Sequence, residues 1–133
     1  MNQIDYEIHV RDLGFPEGPV VLAVDLLHGR IRRWHPEEGV RVLAEVDGAP
    51  NGMCLSPDGK LWIANNGGIS PQGPGQMLYN AARPIPGGLQ ELDLHTGAVR
   101  VITQGGVQPG RPNDVVVSPD GLAIFTDPQN WES

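Results

Sequence analysis

An internal repeat constrains the fold of this chain more than any other feature of its sequence. Two segments that lie 62 positions apart, residues 50–59 and 112–121, share a Pro-Asn pair at their start and a Ser-Pro-Asp-Gly turn at their end. A second repeat with an offset of 58 relates Ile31, Trp34, His35 and Gly39 to Leu89, Leu92, Asp93 and Gly97. Self-similarity at this spacing indicates a fold made of repeated supersecondary units.

Each repeated unit is predicted to contain four short strands. In the best-defined unit the strands are expected at residues 53–55, 61–64, 88–94 and 99–103. An Asp-Gly pair between alternating apolar runs is a strong hairpin signal, and no helical periodicity competes with it. Four antiparallel strands per repeat are typical of one blade of a β-propeller. We therefore predict an all-β fold, an incomplete propeller domain over residues 1–133, with residues 69–86 as a long loop between strands.

The length of the chain limits how much of a propeller it holds. Blades take about 40–50 residues, and a closed ring needs at least about four of them. The third unit stops after two predicted strands, and Val20 runs almost directly into the next strand of the first unit. The alternating stretch at residues 4–10 is typical of a half-exposed strand that completes a last blade. We expect a truncated chain, or a short subunit that closes a ring by oligomerising, with open sheet edges that favour self-association.

Composition excludes several classes of partner. Sixteen acidic and nine basic residues give a net charge of −7, which disfavours binding to nucleic acid. Cys54 is the one cysteine, so there is no disulfide framework and no cysteine-based zinc site, and we expect it in the core. The sequence shows no signal peptide and no apolar run that would span a membrane. We therefore expect a cytoplasmic protein that does not bind membranes.

Three related tripeptides precede the first strands of the three units, namely Pro16-Glu17-Gly18, Pro50-Asn51-Gly52 and Pro112-Asn113-Asp114. First strands line the channel of a propeller, so these loops are expected to meet at one mouth of it. Glu17, Asn51 and Asn113 all offer side-chain oxygens, which are the ligands that a hard cation such as Ca²⁺ prefers. Asn and Gly are also common turn residues, so the alternative is that these tripeptides shape turns and nothing more.

These motifs resemble the gluconolactonase, senescence-marker-protein and luciferin-regenerating-enzyme family of six-bladed β-propellers. The similar segments are residues 15–20, residues 51–68, and residues 111–128 with the sequence Arg-Pro-Asn-Asp near their start and Phe-Thr-Asp-Pro at their end. The resemblance covers residues 10–128 in the family's order. It implies a partial six-bladed β-propeller of about two and a half blades, each a four-stranded antiparallel sheet.

The resemblance also implies roles for particular residues. Glu17 would be a metal ligand, and Asn113 would be a further ligand or a substrate contact. Arg111 and Asn51 would bind substrate, with Arg111 at a position that contacts substrate hydroxyls, and Asp114 would be a loop-shaping or second-shell carboxylate. The metal would be a divalent cation, with Ca²⁺ favoured over Zn²⁺, Mn²⁺ or Mg²⁺. The remaining ligands and the catalytic base would lie beyond residue 133.

The activity that the resemblance implies is metal-dependent hydrolysis of a sugar lactone, with a small lactone or polyol as substrate. Two alternatives stay open at this point. One is a non-catalytic propeller that binds a ligand at the same mouth, and the other is a related ester or phosphoester hydrolase. The loop at residues 69–86 is expected at this mouth too, where it either covers a bound substrate or is a plain insertion.

Overall fold

Nine strands in three antiparallel sheets make up the described part of the chain. The computed structural model describes residues 21–68, 81–103 and 108–128. Sheet A contains β1 (Val21–Asp25), β2 (Arg30–His35) and β3 (Gly39–Glu45); sheet B contains β4 (Pro50–Leu55), β5 (Leu61–Asn65), β6 (Gly88–Leu92) and β7 (Val99–Val101); and sheet C contains β8 (Val115–Val117) and β9 (Ala123–Phe125). Strands are hydrogen-bonded in chain order within every sheet. In these ranges no helix is long and apolar enough to cross a membrane.

Sheet B is the four-stranded blade that the sequence predicts. Its strands fall on the predicted segments, with boundaries that differ by at most three residues. Sheet C contains two strands, which agrees with a third unit that stops two strands in. In sheet A the described residues form three strands, and the residues before Val21 lie outside the described ranges. Asn51 and Asn113 lie ten residues before β5 and β9, whereas Glu17 lies four residues before β1.

The repeated Ser-Pro-Asp-Gly segments form the same turn in sheets B and C. Ser56 Oγ donates to Asp58 and accepts from the Lys60 backbone N–H, while Ser118 Oγ donates to Asp120 and accepts from the Leu122 N–H. The following glycines, at 59 and 121, have φ values of 79° and 84°, a left-handed conformation that side chains with a Cβ rarely adopt. The sequence repeat is therefore a repeat of backbone conformation and not of composition alone.

Sheet B lies between sheets A and C, and both of its faces are buried. On one face, Leu61, Ile63 and Leu92 form a cluster with Ile31, Ala44 and Val46 of the first unit. On the other face, Ala64 and Leu89 contact Val115 of β8, with Cys54 and Phe125 packed beside them. Face-to-face stacking of successive sheets, each connected to the next by one crossing segment, is the arrangement of propeller blades. The described residues thus form an arc of an all-β propeller.

Strands β4 and β8 run side by side in the same direction. At their start, the Gly52 N–H donates to the Asn113 carbonyl at 2.7 Å. At their far end, a Cβ built on Gly121 would lie 3.5 Å from the Pro57 side chain. The first strands of the two units therefore share one orientation, so the loops that precede them lie at one end of the arc and the Ser-Pro-Asp-Gly turns lie at the other.

Glu91, on β6, links the neighbouring strands β5 and β7 of sheet B through a buried carboxylate. Its side chain is 7% exposed, and Arg100, Trp62 and Lys60 donate to it at 2.7, 3.1 and 3.3 Å. Burial alone would raise the pKa of Glu91, but the hydrogen bonds from these three donors outweigh it, so the pKa lies below its ordinary value. The carboxylate therefore stabilises the fold in its ionised form.

A lowered pKa in the folded state makes stability depend on pH with a definite sign. The contribution of Glu91 is fully present above the ordinary glutamate pKa of about 4.3 and is lost as the pH falls through the lower folded-state value. Urea unfolding between pH 7 and pH 3 should show this loss in the native sequence and a flatter dependence in Glu91→Gln. An identical pH dependence in the two proteins would remove Glu91 from this role.

The outer faces of sheets A and C are apolar and exposed. Val116 and Ile124, which pair directly across β8 and β9, are 55% and 56% exposed, and Trp34 on sheet A is 41% exposed between Val21 and Val40. Equivalent faces of sheet B are covered by neighbouring sheets. Exposed apolar patches of this kind promote association.

We propose that the 133-residue polypeptide self-associates through these two faces. Sedimentation velocity should show species larger than a monomer at micromolar concentration. Ile124→Lys, which places a charge on the face of sheet C, should shift the distribution towards monomer. Leu27→Lys is the matched control, because Leu27 is 50% exposed in the turn between β1 and β2. A native polypeptide that sediments as a monomer would contradict the proposal.

Candidate functional site

Two of the three predicted loops are in direct contact. The Gly52 N–H donates to the Asn113 carbonyl at 2.7 Å. A Cβ built on Gly52 would lie 2.6 Å from Asp114 Cα, a separation that leaves room for glycine and for no other residue. The absence of a side chain at position 52 thus lets the loop of the second unit lie against the loop of the third. Asn51, at the start of β4, and Asn113, two residues before β8, flank this contact.

The polar side chains around this contact are available to a ligand. Asn51, Arg111 and Asn113 are each half-buried. Their side-chain nitrogen and oxygen atoms make no hydrogen bond or ion pair with any other residue in the described ranges. Half-buried polar groups that are already oriented bind a ligand at a lower entropic cost than mobile surface groups. The end of the arc at which β4 and β8 begin therefore carries two asparagines and one arginine.

Asp114 lies at the same contact, and its carboxylate faces back into its own loop. Its Oδ1 atom accepts from the Val115 backbone N–H at 2.9 Å. Burial and then the negative charge of Asp114 raise the pKa of the Cys54 thiol above its ordinary value. Cys54 is therefore a neutral thiol at pH 7 and a poor nucleophile, packed beside the cluster of Ala64, Leu89 and Val115.

Thr126 and Asp127 hold the backbone of the loop that carries Arg111 and Asn113. The two oxygens of the Asp127 carboxylate accept from the Gly110 N–H at 2.9 Å and the Arg111 N–H at 2.6 Å. The Thr126 carbonyl accepts from the Asn113 N–H at 2.9 Å, and its hydroxyl oxygen accepts from the Asp114 N–H at 3.1 Å. Pro112 has no N–H, so each N–H of residues 110–114 is bound to Thr126 or Asp127.

The returning part of the long loop lies against the same end of the arc. The Gly48 N–H donates to the Arg83 carbonyl at 2.8 Å, and the Ile85 N–H donates to the Gly67 carbonyl at 3.0 Å. A Cβ on Gly87 would lie 3.0 Å from the carbonyl carbon of Gly110, so this segment also contacts the loop before β8. Residues 81–87 thus border the candidate site, whereas residues 69–80 lie outside the described ranges.

The predicted site residues fall into two groups. Asn51, Arg111, Asn113 and Asp114 lie on the two touching loops. Glu17, the predicted charged ligand, lies outside the described residues. Within the described ranges no group of three or more His, Cys, Asp or Glu side chains converges to hold a metal. Two unpaired amide oxygens fit the oxygen-rich shell that a hard cation takes, as part of that shell and not as the whole of it.

Sequence reasoning assigned no role to Gly52, Thr126 or Asp127. A signal for Asp127 was present, because the offset of 62 that relates the motif asparagines also relates Asn65 to Asp127. The role of Thr126 depends on its hydroxyl and carbonyl accepting from a loop twelve residues earlier, and no local pattern encodes that contact. The need for glycine at 52 comes from a neighbouring unit and is likewise invisible in the tripeptide.

Comparison with known proteins agrees with this fold. The sequence matches the SMP-30/gluconolactonase/LRE-like region over residues 15–133. It is 27% identical to a gluconolactonase of Zymomonas mobilis over 144 aligned positions, which cover 92% of this chain and 35% of the relative. The chain thus spans about a third of the length of that curated relative. Because the match extends over most of the chain and includes the loops that carry Asn51, Arg111 and Asn113, the protein belongs to the SMP-30/gluconolactonase/LRE-like family.

Proposed function

We propose that this chain supplies the N-terminal part of the propeller, and of the active site, of an enzyme that hydrolyses a sugar lactone with the help of a divalent cation. The observation that supports it is the contact between Gly52 and Asn113, which brings unpaired Asn51, Asn113 and Arg111 side chains to one end of the arc. Family membership supports lactone hydrolysis as the reaction class, and the 27% identical relative is a gluconolactonase. In this proposal Ca²⁺ is the favoured cation, because the donors are amide and carboxylate oxygens.

Each proposed residue has a chemical task. The amide oxygens of Asn113 and Asn51, with the carboxylate of Glu17, would hold the cation and orient the substrate. A cation bound there supplies Lewis-acid polarisation of the lactone carbonyl. The Arg111 guanidinium carries five N–H donors and no acceptor, so it suits the hydroxyl oxygens of a polyol. No residue of this chain is proposed as the base that activates water.

Turnover is tested in a polypeptide that also contains the remaining blades. We suggest fusing this chain to the part of the Zymomonas mobilis gluconolactonase that lies beyond the matched region. Hydrolysis of glucono-1,5-lactone, followed by pH-stat titration, should require Ca²⁺ and stop in excess chelator. Asn113→Ala and Glu17→Gln should each lower the rate and the Ca²⁺ affinity together.

The alternatives give different results in the same assay. Asp120→Asn is the control variant, because Asp120 lies in the turn at the far end of the arc and should leave both quantities unchanged. A fusion that binds Ca²⁺ and gluconate without turnover of any lactone would favour a binding module. Hydrolysis that persists in excess chelator would contradict the metal mechanism, and turnover of aryl or phosphate esters alone would move the activity to another ester class.

A further inference from the structure

We propose that Asp127 is a positioning residue that fixes the loop bearing Arg111 and Asn113, an inference that rests on the function proposed for that loop. Its two carboxylate oxygens accept from two consecutive backbone N–H groups, those of Gly110 and Arg111, at 2.9 and 2.6 Å. Both distances are typical of charge-assisted hydrogen bonds. Asp127 thus holds the backbone of Arg111, whose guanidinium is proposed to bind substrate. Arg111 precedes Asn113 by two residues in the same loop.

The same device occurs in the second unit with an amide in place of the carboxylate. Asn65, which corresponds to Asp127 at the offset of 62, accepts through Oδ1 from the Ala49 N–H at 2.9 Å. Ala49 corresponds to Arg111 at the same offset and likewise precedes the motif asparagine by two residues. In both of these units, a residue at or just beyond the end of the second strand therefore anchors the loop that enters the first strand.

The two anchoring side chains, Asn65 and Asp127, differ in chemistry, and each suits its surroundings. Asn65 is fully buried, and its Nδ2 group donates to the Asp47 carbonyl and to Gln90 Oε1, so both halves of its amide are used. Asp127 is half-buried and accepts from two N–H groups, which an amide cannot do with both of its terminal atoms. Asp25, at the corresponding position of β1, is bound instead by Arg32 and His28. Within the described residues, this anchoring contact therefore occurs in the second and third units, whose loops touch each other.

The proposal predicts a graded loss on substitution of Asp127. Asp127→Ala removes both acceptors, so the loop should open and the proposed ligands should lose their fixed orientation. Asp127→Asn keeps an acceptor for the Arg111 N–H, as Asn65 does for Ala49, but turns a donor towards the Gly110 N–H. Residues that orient a ligand shell typically change metal affinity by about 10–100-fold. We expect about a tenfold loss of Ca²⁺ affinity in Asp127→Ala and a smaller loss in Asp127→Asn.

Amide hydrogen exchange of the 133-residue protein by NMR tests this directly, with Ca²⁺ calorimetry on the fusion described above as a second readout. In Asp127→Ala the Gly110 and Arg111 amides should exchange about tenfold faster or more, whereas in Asp127→Asn the Arg111 amide should stay protected. Asp120→Asn is the control, because its carboxylate also accepts a hydrogen bond but lies in a turn at the far end of the arc. It should not change exchange at either amide.

The outcomes separate this proposal from the function on which it rests. Unchanged exchange at Gly110 and Arg111 in Asp127→Ala would overturn the positioning role. An affinity loss in Asp120→Asn equal to that in Asp127→Ala, at equal loss of unfolding stability, would overturn it too, because the effect would then be general destabilisation. If the unsubstituted fusion binds no Ca²⁺, the proposed function fails, while the exchange rates at the two amides still decide whether Asp127 holds the loop.

Discussion

Gly52→Ala is expected to separate the two loops of the candidate site and to lower the free energy of unfolding by about 1–3 kcal/mol, the usual range for an added methyl group in a packed region. The new Cβ would meet the Asp114 side chain and lie 2.6 Å from Asp114 Cα and 3.0 Å from the Asn113 carbonyl oxygen. Two of these three contacts are with backbone, which cannot swing aside as a long side chain does. The hydrogen bond from the Gly52 N–H to the Asn113 carbonyl should lengthen or break, so Ca²⁺ affinity should fall with stability.

Gly59→Ala is the matched control for this substitution. A Cβ on Gly59 would have no atom within 4 Å, so this variant introduces no steric overlap. Its expected loss of stability comes from the strain of its left-handed φ of 79°, which is about 1 kcal/mol. Urea unfolding midpoints, and Ca²⁺ calorimetry on the fusion that carries each substitution, test this prediction. If Gly52→Ala costs no more stability than Gly59→Ala and leaves the affinity unchanged, the close approach of the two loops has no functional consequence.

Asn65→Ala is expected to be among the most destabilising single substitutions in sheet B, at about 3 kcal/mol or more. The side chain is fully buried and makes four hydrogen bonds, accepting from the Ala49 and Gly67 N–H groups and donating to the Asp47 carbonyl and Gln90 Oε1. Each buried partner left without a hydrogen bond costs about 1–3 kcal/mol. Thermal and urea unfolding of the variant should show this loss.

The neighbouring asparagine provides a control within the same segment. Asn66 is 6% exposed but accepts one hydrogen bond, from the Gly68 N–H at 3.1 Å, so Asn66→Ala should cost about 1 kcal/mol. Asn65→Asp keeps the two acceptor contacts but turns an oxygen towards the Asp47 carbonyl and Gln90 Oε1 in a fully buried site, so it should cost at least as much as Asn65→Ala. Equal costs for Asn65→Ala and Asn66→Ala would show that the hydrogen bonds of Asn65 do not stabilise the blade.

The repeat in the sequence was sufficient to predict the all-β class and the strands of the second unit. Asp58-Gly59 and Asp120-Gly121 mark tight turns because their chemistry is local, and the structure confirms both turns. The expectation of four strands in every unit stays a prediction for the first unit, because the residues before Val21 lie outside the described ranges. Glu17 lies four residues before β1, whereas Asn51 and Asn113 lie ten residues before β5 and β9.

The residue types of the candidate site could be predicted from the sequence, but the residues that hold them in place could not. Asn51 and Asn113 are prominent in the sequence because repeated units place equivalent residues at equivalent positions. The residues that position these two asparagines do so through contacts between units, or between segments that are distant in the sequence. Gly52 is glycine because of Asp114 in the next unit, and Thr126 and Asp127 bind a loop that precedes them by more than ten residues. Periodicity describes one unit at a time, so it cannot show such contacts.

The start of β4 and the loop before β8 are proposed to form one cation-dependent substrate site. The most direct test is a Ca²⁺ titration of the ¹⁵N-labelled fusion, observed at the side-chain NH₂ groups of asparagine. We predict saturable shifts for Asn51 and Asn113 with one common midpoint, and none for Asn65, whose amide is buried in a hydrogen-bonded network. A signal of Asn113 that does not respond to Ca²⁺, or that shifts no more than that of Asn65, would contradict the account.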